Sequence, residues 1–151
     1  MVSYSLSASE LESLFLIFFI VTGVCIGSFA NVCIYRLPHS NNIIKPSHCL
    51  YCKKLIPFYL NVPIFSYLLL RGKSKCCNKS LSPQYLIVEI FGGLAAFAAF
   101  YFYSGPTLEA LYAYILIMSL LIIFFTDLNE YIIPDAITYP LGLLGIFHVY
   151  M

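Results

Sequence analysis

Charge is scarce in this chain. Only 10% of its 151 residues are Asp, Glu, Lys or Arg, against roughly 25% in soluble domains. Hydrophobic residues make up 61%, which excludes an ordinary water-soluble domain and points to membrane spans. Basic residues are missing outside one stretch: Arg36, Lys45, Lys53, Lys54, Arg71, Lys73, Lys75 and Lys79 all lie between Arg36 and Ser82. Acidic residues are missing inside it, with Glu10 and Glu12 before and Glu89, Glu109, Asp127, Glu130 and Asp135 after. The net charge of +1 therefore conceals a segment holding every basic charge and no acidic one. Such a split is a topology signal, and no nucleic-acid partner is expected from it. A basic n-region is also missing from the first fourteen residues, so no cleavable secretory signal is expected.

What is present is a series of apolar runs. Ser7 and Ser9 are each followed three residues on by a glutamate, Glu10 and Glu12, the pattern of a capping box. Leu14 to Tyr35 is uncharged and long enough to span. Gly23 and Gly27 lie four apart in it; they either admit a second helix to backbone contact or are the glycines common in membrane helices. Cys25 and Cys33 read as small apolar residues. Leu37-Pro38 ends the helix, and prolines 38, 46, 57, 63 and 83 argue against a long element across the basic stretch. Leu60 to Leu70 is a short apolar piece, a helix or strand packed in the loop or lying on the bilayer.

Pro83 suits a first helical turn. Gln84 to Tyr103 is a second span interrupted only by Glu89, Ser104-Gly105-Pro106 is a turn, and Leu108 to Phe125 is a third span. Thr126 to Asp135 reads as a polar stretch closed by Pro134, before a fourth apolar segment, short for a span, from Ala136 to Met151. The expected fold is mainly α: a polytopic membrane protein with about four apolar helices. Its expected parts are an extracytoplasmic N-terminus (1–13), a first transmembrane helix (14–35), a cytoplasmic basic cysteine-bearing domain (36–82) and a membrane domain (83–151). The positive-inside rule puts the basic loop in the cytoplasm and returns Asp127 to the same face.

Four cysteines fall in the basic loop: Cys49-x-x-Cys52 and the adjacent Cys76-Cys77. In a reducing compartment such pairs are metal ligands or free thiols more often than disulfides. Cys49 and Cys52 make half a zinc knuckle, and Cys76 and Cys77, with His48 nearby, are available to complete a tetrahedral set. Ser74 stands where a second Cys-x-x-Cys would begin, so a structural zinc and a metal-free knuckle both remain open. Glu89, an ionisable group inside a span, is a functional candidate, expected to pair with a loop lysine or arginine. Asp127 at a helix end is partly desolvated, an environment that raises a carboxyl pKa and suits an acid–base role; the alternative is a plain helix end. Asp135 is not expected to pair with Asp127 through a continuous helix, because Pro134 intervenes, and fits better as the cap of the last helix.

These motifs, taken in order, resemble the type IV prepilin peptidase family. The resemblance runs through Gly23-x-x-x-Gly27-Ser28-Phe29-x-Asn31-Val32-x-x-Tyr35-Arg36-Leu37-Pro38, then Ser47-x-Cys49-x-x-Cys52, Asn61-Val62-Pro63 and Ser66-Tyr67-Leu68-Leu69-Leu70-Arg71-Gly72. It continues with Ser82-x-x-Tyr85-x-x-Val88-Glu89 and the segment from Asp127 to Pro134-Asp135-x-x-Thr138. It implies an aspartic endopeptidase of the bacterial inner membrane that removes the leader of prepilins or pseudopilins of type IV pilus and type II secretion systems. It further implies Asp127 as the first catalytic aspartate, and N-methylation of the new terminus with S-adenosylmethionine. The family's second aspartate stands in a Gly-x-Gly-Asp motif, and these 151 residues contain none; the expectation is the front part of such an enzyme. The alternative is a non-catalytic prepilin-binding or assembly module, or a decayed remnant. An independent methyltransferase is disfavoured, since no glycine-rich nucleotide loop of the Rossmann type is present.

Overall fold

The computed structural model describes residues 8–39, 43, 45–49 and 51–150. Helices dominate: α1 (Ala8–Arg36), the single-turn α2 (Phe65–Leu69) preceded by a 3-10 turn at Phe58–Asn61, α3 (Gln84–Phe102), α4 (Leu108–Glu130) and α5 (Asp135–Tyr150). Among the described residues the only extended pairing is two isolated bridges, His48 with Leu55 and Lys73 with Ser80. Three helices, α1, α3 and α4, are long and apolar enough to cross a membrane. The short fourth apolar segment forms α5, with Pro140 inside it and no buried residue.

The glycine spacing in α1 has a packing purpose. A Cβ built on Gly92 would lie 2.5 Å from the Gly23 carbonyl oxygen and 2.9 Å from the Gly27 Cα. One on Gly23 would lie 2.5 Å from the Ala96 Cβ. The backbones of α1 and α3 therefore touch, which is how helices gain dispersion energy where lipid offers no hydrophobic drive. Ala30, Ile34, Val88, Ala96, Ala99 and Ala110 extend this small-residue core. Two polar side chains cross it. Tyr114 on α4 donates its hydroxyl to the Gly23 carbonyl at 3.1 Å, and Asn31 on α1 donates its amide to the Tyr85 carbonyl at 3.0 Å.

Helix ends differ from expectation in three places. Helix α1 already runs at Ala8, so Ser9 is inside it and not a cap; its carbonyl accepts the Ser13 hydroxyl at 2.8 Å. The Ser7 capping box lies outside the described residues. Helix α4 starts on a Thr107 cap that accepts from the Ala110 amide. It continues through Thr126-Asp127-Leu128-Asn129-Glu130, which by polarity alone reads as a loop. No glycine or proline interrupts those residues, and the helix stops only where Tyr131 turns left-handed (φ 55°) and donates to the Asp127 carbonyl. At α5 the Pro134 carbonyl takes the first amides, from Ile137 and Thr138. Asp135 is thus in the first turn, where its charge favours the positive helix end.

Candidate metal centre and carboxylates

The basic loop folds into two copies of one hairpin turn. In the first, the Lys53 amide donates to the Cys49 carbonyl (3.0 Å), Cys49 to Lys54 (2.9 Å) and Ile56 to Ser47 (2.8 Å). In the second, Asn78 donates to Ser74 (2.8 Å), Ser74 to Lys79 (2.8 Å) and Leu81 to Gly72 (2.7 Å). Lys53 and Asn78 occupy matching left-handed positions, each at φ 58°. The offset is 25 residues, the separation of Cys49 and Ser74. Cys77 thus answers Cys52, and Ser74 answers Cys49.

The missing thiol is replaced from within the second turn. Cys76 reaches the cluster beside Ser74, and the sulfurs of Cys49, Cys52, Cys76 and Cys77 all lie within 4.8 Å of one another. Cys49 and Cys77 sulfurs are 3.6 Å apart, and those of Cys52 and Cys76 2.9 Å. Tetrahedral zinc with sulfur at about 2.3 Å separates its ligands by roughly 3.8 Å, so the four thiols could hold such an ion with small adjustments. His48 is turned away, its Nδ1 2.7 Å from the Pro46 carbonyl.

Ser74, buried, sits 3.2 Å from the Cys49 sulfur and 3.1 Å from that of Cys76. Its hydroxyl, with the Cys52 and Tyr51 amides, holds the Cys49 thiol down to about 5. Cys76 is pushed up, chiefly by the neighbouring Cys52 thiol. Lysines frame the site: Lys79 lies over the Tyr51 ring (4.9 Å) and Lys75 over Tyr59 (5.4 Å). Their positive charge would offset that of thiolates holding a metal.

Beneath these turns, between them and α1 and α3, lies a half-open cavity of about 830 Å³. Phe29, Tyr35, Tyr67 and Tyr85 supply aromatic walls; Asn31, Asn61, Lys45 and Glu89 supply polar groups. Arg36 closes the α1 end by donating to the carbonyls of Ile43 (2.7 Å), Lys45 (2.6 Å) and Pro46 (3.2 Å).

Glu89 is buried, but its partner is not a base. Its Oε2 accepts the backbone amide of Ile64 at 2.6 Å, and no lysine or arginine pairs with it among the described residues. The expected ion pair is replaced because Ile64 presents a free amide there. The signal for this was not local, since the amide lies 25 residues away.

Asp127 is exposed in the last turns of α4. Its turn is tied to the loop-side end of the bundle by two contacts: Asn129 donates to Gln84 Oε1 at 3.2 Å, and His39 Nε2 lies 3.6 Å from Glu130 Oε1. The carboxylate thus stands at the end of the bundle that carries the cysteine turns. Asp127 and Asp135 share no hydrogen bond among the described residues. The residue before Asp127 belongs to no sequence motif, yet it is unusual in the structure: Thr126 is fully buried, with its hydroxyl unpartnered.

Residues 21–103 match the family model described as the bacterial peptidase A24 N-terminal domain. A prepilin leader peptidase/N-methyltransferase of Myxococcus xanthus is 38% identical over 134 residues, covering 88% of this chain and 40% of the relative. The protein of the same name from Vibrio cholerae is 33% identical over 150 residues (92% and 58%), and that from Neisseria gonorrhoeae 35% over 153 (83% and 52%). The chain thus spans about half the length of the curated relatives it matches. No solved structure matches it significantly. With more than half of its residues matched, and its cysteine turns and glycine seam inside the matched region, the chain belongs to the bacterial A24 peptidase family through that family's N-terminal domain.

Proposed function

We propose that this protein serves in prepilin or pseudopilin leader cleavage at the cytoplasmic face of the bacterial inner membrane, with Asp127 as one of two catalytic aspartates. The observation that carries this is the exposed Asp127 at the loop-side end of the bundle. The leader of a substrate lying along the cytoplasmic surface would meet it there. In an aspartyl mechanism one ionised carboxylate takes a proton from water while a protonated partner polarises the scissile carbonyl. Asp127 would supply one carboxylate, and the Gly-x-Gly-Asp motif of the family the other. In the natural host, Asp127→Asn should block leader removal while leaving the protein in the membrane. Continued cleavage by this variant would remove Asp127 from the mechanism.

Cys49, Cys52, Cys76 and Cys77 would hold a structural zinc, which supplies a fixed crosslink between the two turns. For the N-methylation named in the relatives, the cavity fits S-adenosylmethionine in size, with Tyr35 and Tyr67 for the adenine and Asn31 and Asn61 for its polar groups. Titration calorimetry of the purified protein with S-adenosylmethionine tests this, and absence of heat up to millimolar ligand refutes it.

A second reading takes the chain as a prepilin-binding or assembly module. The chain would then retain prepilin without cutting it. Asp127→Asn would leave such retention unchanged, whereas a remnant would neither fold nor bind.

A further inference from the structure

Helix α3 is 19 residues long, about 28 Å at 1.5 Å per residue, close to the roughly 30 Å of a hydrocarbon core. Gln84, its first residue, meets Asn129 of α4 in a polar pair, which marks the loop-side boundary of the apolar bundle. Glu89 lies five residues deeper, about 7.5 Å along the axis. Its side chain leans back toward Gln84 and grips the Ile64 amide at 2.6 Å. The loop is therefore tied at Ile64 to a residue inside the apolar span of α3.

The backbone there is built for a place without water. Ile64 stands at φ 62°, ψ −55°, a strained conformation for a β-branched residue, and the Phe65 amide closes back on the Pro63 carbonyl at 2.6 Å. Ser66, Leu68 and Leu70 amides donate to Val62, Ile64 and Ser66. Glu89 takes the amide that this turn leaves over. Such satisfaction is what irregular backbone requires at membrane depth, and it explains a carboxylate six residues into a span.

The side chains divide accordingly. Ser66, Tyr67 and Leu70 line the cavity, while Phe65, Leu68 and Leu69 are 74%, 58% and 80% exposed. Arg71 and Lys73 follow immediately, and no acidic residue lies anywhere in the loop. Three large exposed apolar groups next to a turn bonded into the span, with bases following in the chain, match the acyl-chain edge and anionic headgroups of a bilayer.

We propose that Phe65, Leu68 and Leu69 insert into the bilayer and make the cysteine-bearing domain a membrane-anchored unit held at its own third point. Helices α1 and α3 supply the other two points.

The chain has no tryptophan, so Phe65→Trp and, separately, Leu69→Trp each create a single indole reporter; Tyr51→Trp, on the first cysteine turn, is the aqueous control. Each protein is reconstituted in phosphatidylcholine–phosphatidylglycerol vesicles, with and without acyl-brominated lipid. The indole of the Phe65→Trp or Leu69→Trp variant should emit at shorter wavelength than that of the Tyr51→Trp control. It should also be quenched by the brominated chains and shielded from iodide. Iodide quenching of both reporters equal to that of the control, without bromolipid quenching, overturns the proposal. Either variant that still yields helical protein by circular dichroism is sufficient, so failure of one to fold leaves the other decisive.

Discussion

The helical bundle and the cysteine-bearing loop are stabilised by opposite means. In the bundle, glycine and alanine let α1 and α3 touch through their backbones, and the buried positions are numerous and many of them small. In the loop, Cys49 and Ser74 are the buried residues among those described between 45 and 81, and both belong to the thiol cluster. A segment this short cannot bury enough apolar surface to hold itself, and segments in that position use metals or disulfides. The bundle is a packing problem solved by removing side chains; the loop gathers four thiols that could bypass the same problem with a metal crosslink.

The strongest way to break this contrast is to remove the crosslink. Structural zinc contributes on the order of 10 kcal/mol to the folding of small metal domains. Cys49→Ser should therefore abolish stoichiometric zinc, as should a strong chelator. Trypsin should then cut at Lys53, Lys54 and Lys73, while helix content by circular dichroism falls by no more than the short α2. Unchanged proteolysis would mean that the loop folds without metal.

The next largest effect comes from the seam. Gly92→Leu places a side chain where even a Cβ meets the Gly23 carbonyl at 2.5 Å. Overpacking of this kind costs about 1–3 kcal/mol or more. Thermal unfolding in detergent should shift downward, and a crosslink between α1 and α3 should form less readily, with zinc content retained. A variant that loses zinc and seam together would show that the two regions are one cooperative unit.

Tyr114→Phe is the smallest and sharpest test. It deletes one hydroxyl bonded to Gly23 without touching the loop, at about 1 kcal/mol. The expected result is a small loss in detergent stability and no change in metal content or loop proteolysis.

The sequence shows these regions unequally. Three spans are visible because lipid-facing helices must be uncharged for some twenty residues, and Leu14–Tyr35 satisfies this alone. The end of α4 is hidden, because Thr126, Asp127, Asn129 and Glu130 look like a loop to any reading based on polarity, yet no residue there breaks a helix. The four cysteines are visible as a set, but the turns that gather them are not. Cys76 and Cys77 are both legible as donors that could complete the set, but the repeated turn, with Asn78 matching Lys53, is not, and it is this turn that brings the Cys76 sulfur beside Ser74. Glu89 announces a partner by its depth, but the partner is a backbone amide, which no side-chain inventory records.

Replacing one ligand of the repeat by its neighbour has a kinetic consequence. Cys49 is enclosed, whereas Cys76 is exposed to solvent and comes from the residue adjacent to Cys77. An ion gripped by this set would be open on that edge. Exchange, capture by a chelator and attack by an oxidant would all begin at the Cys76 sulfur, leaving the Cys49–Cys52 turn the last to let go.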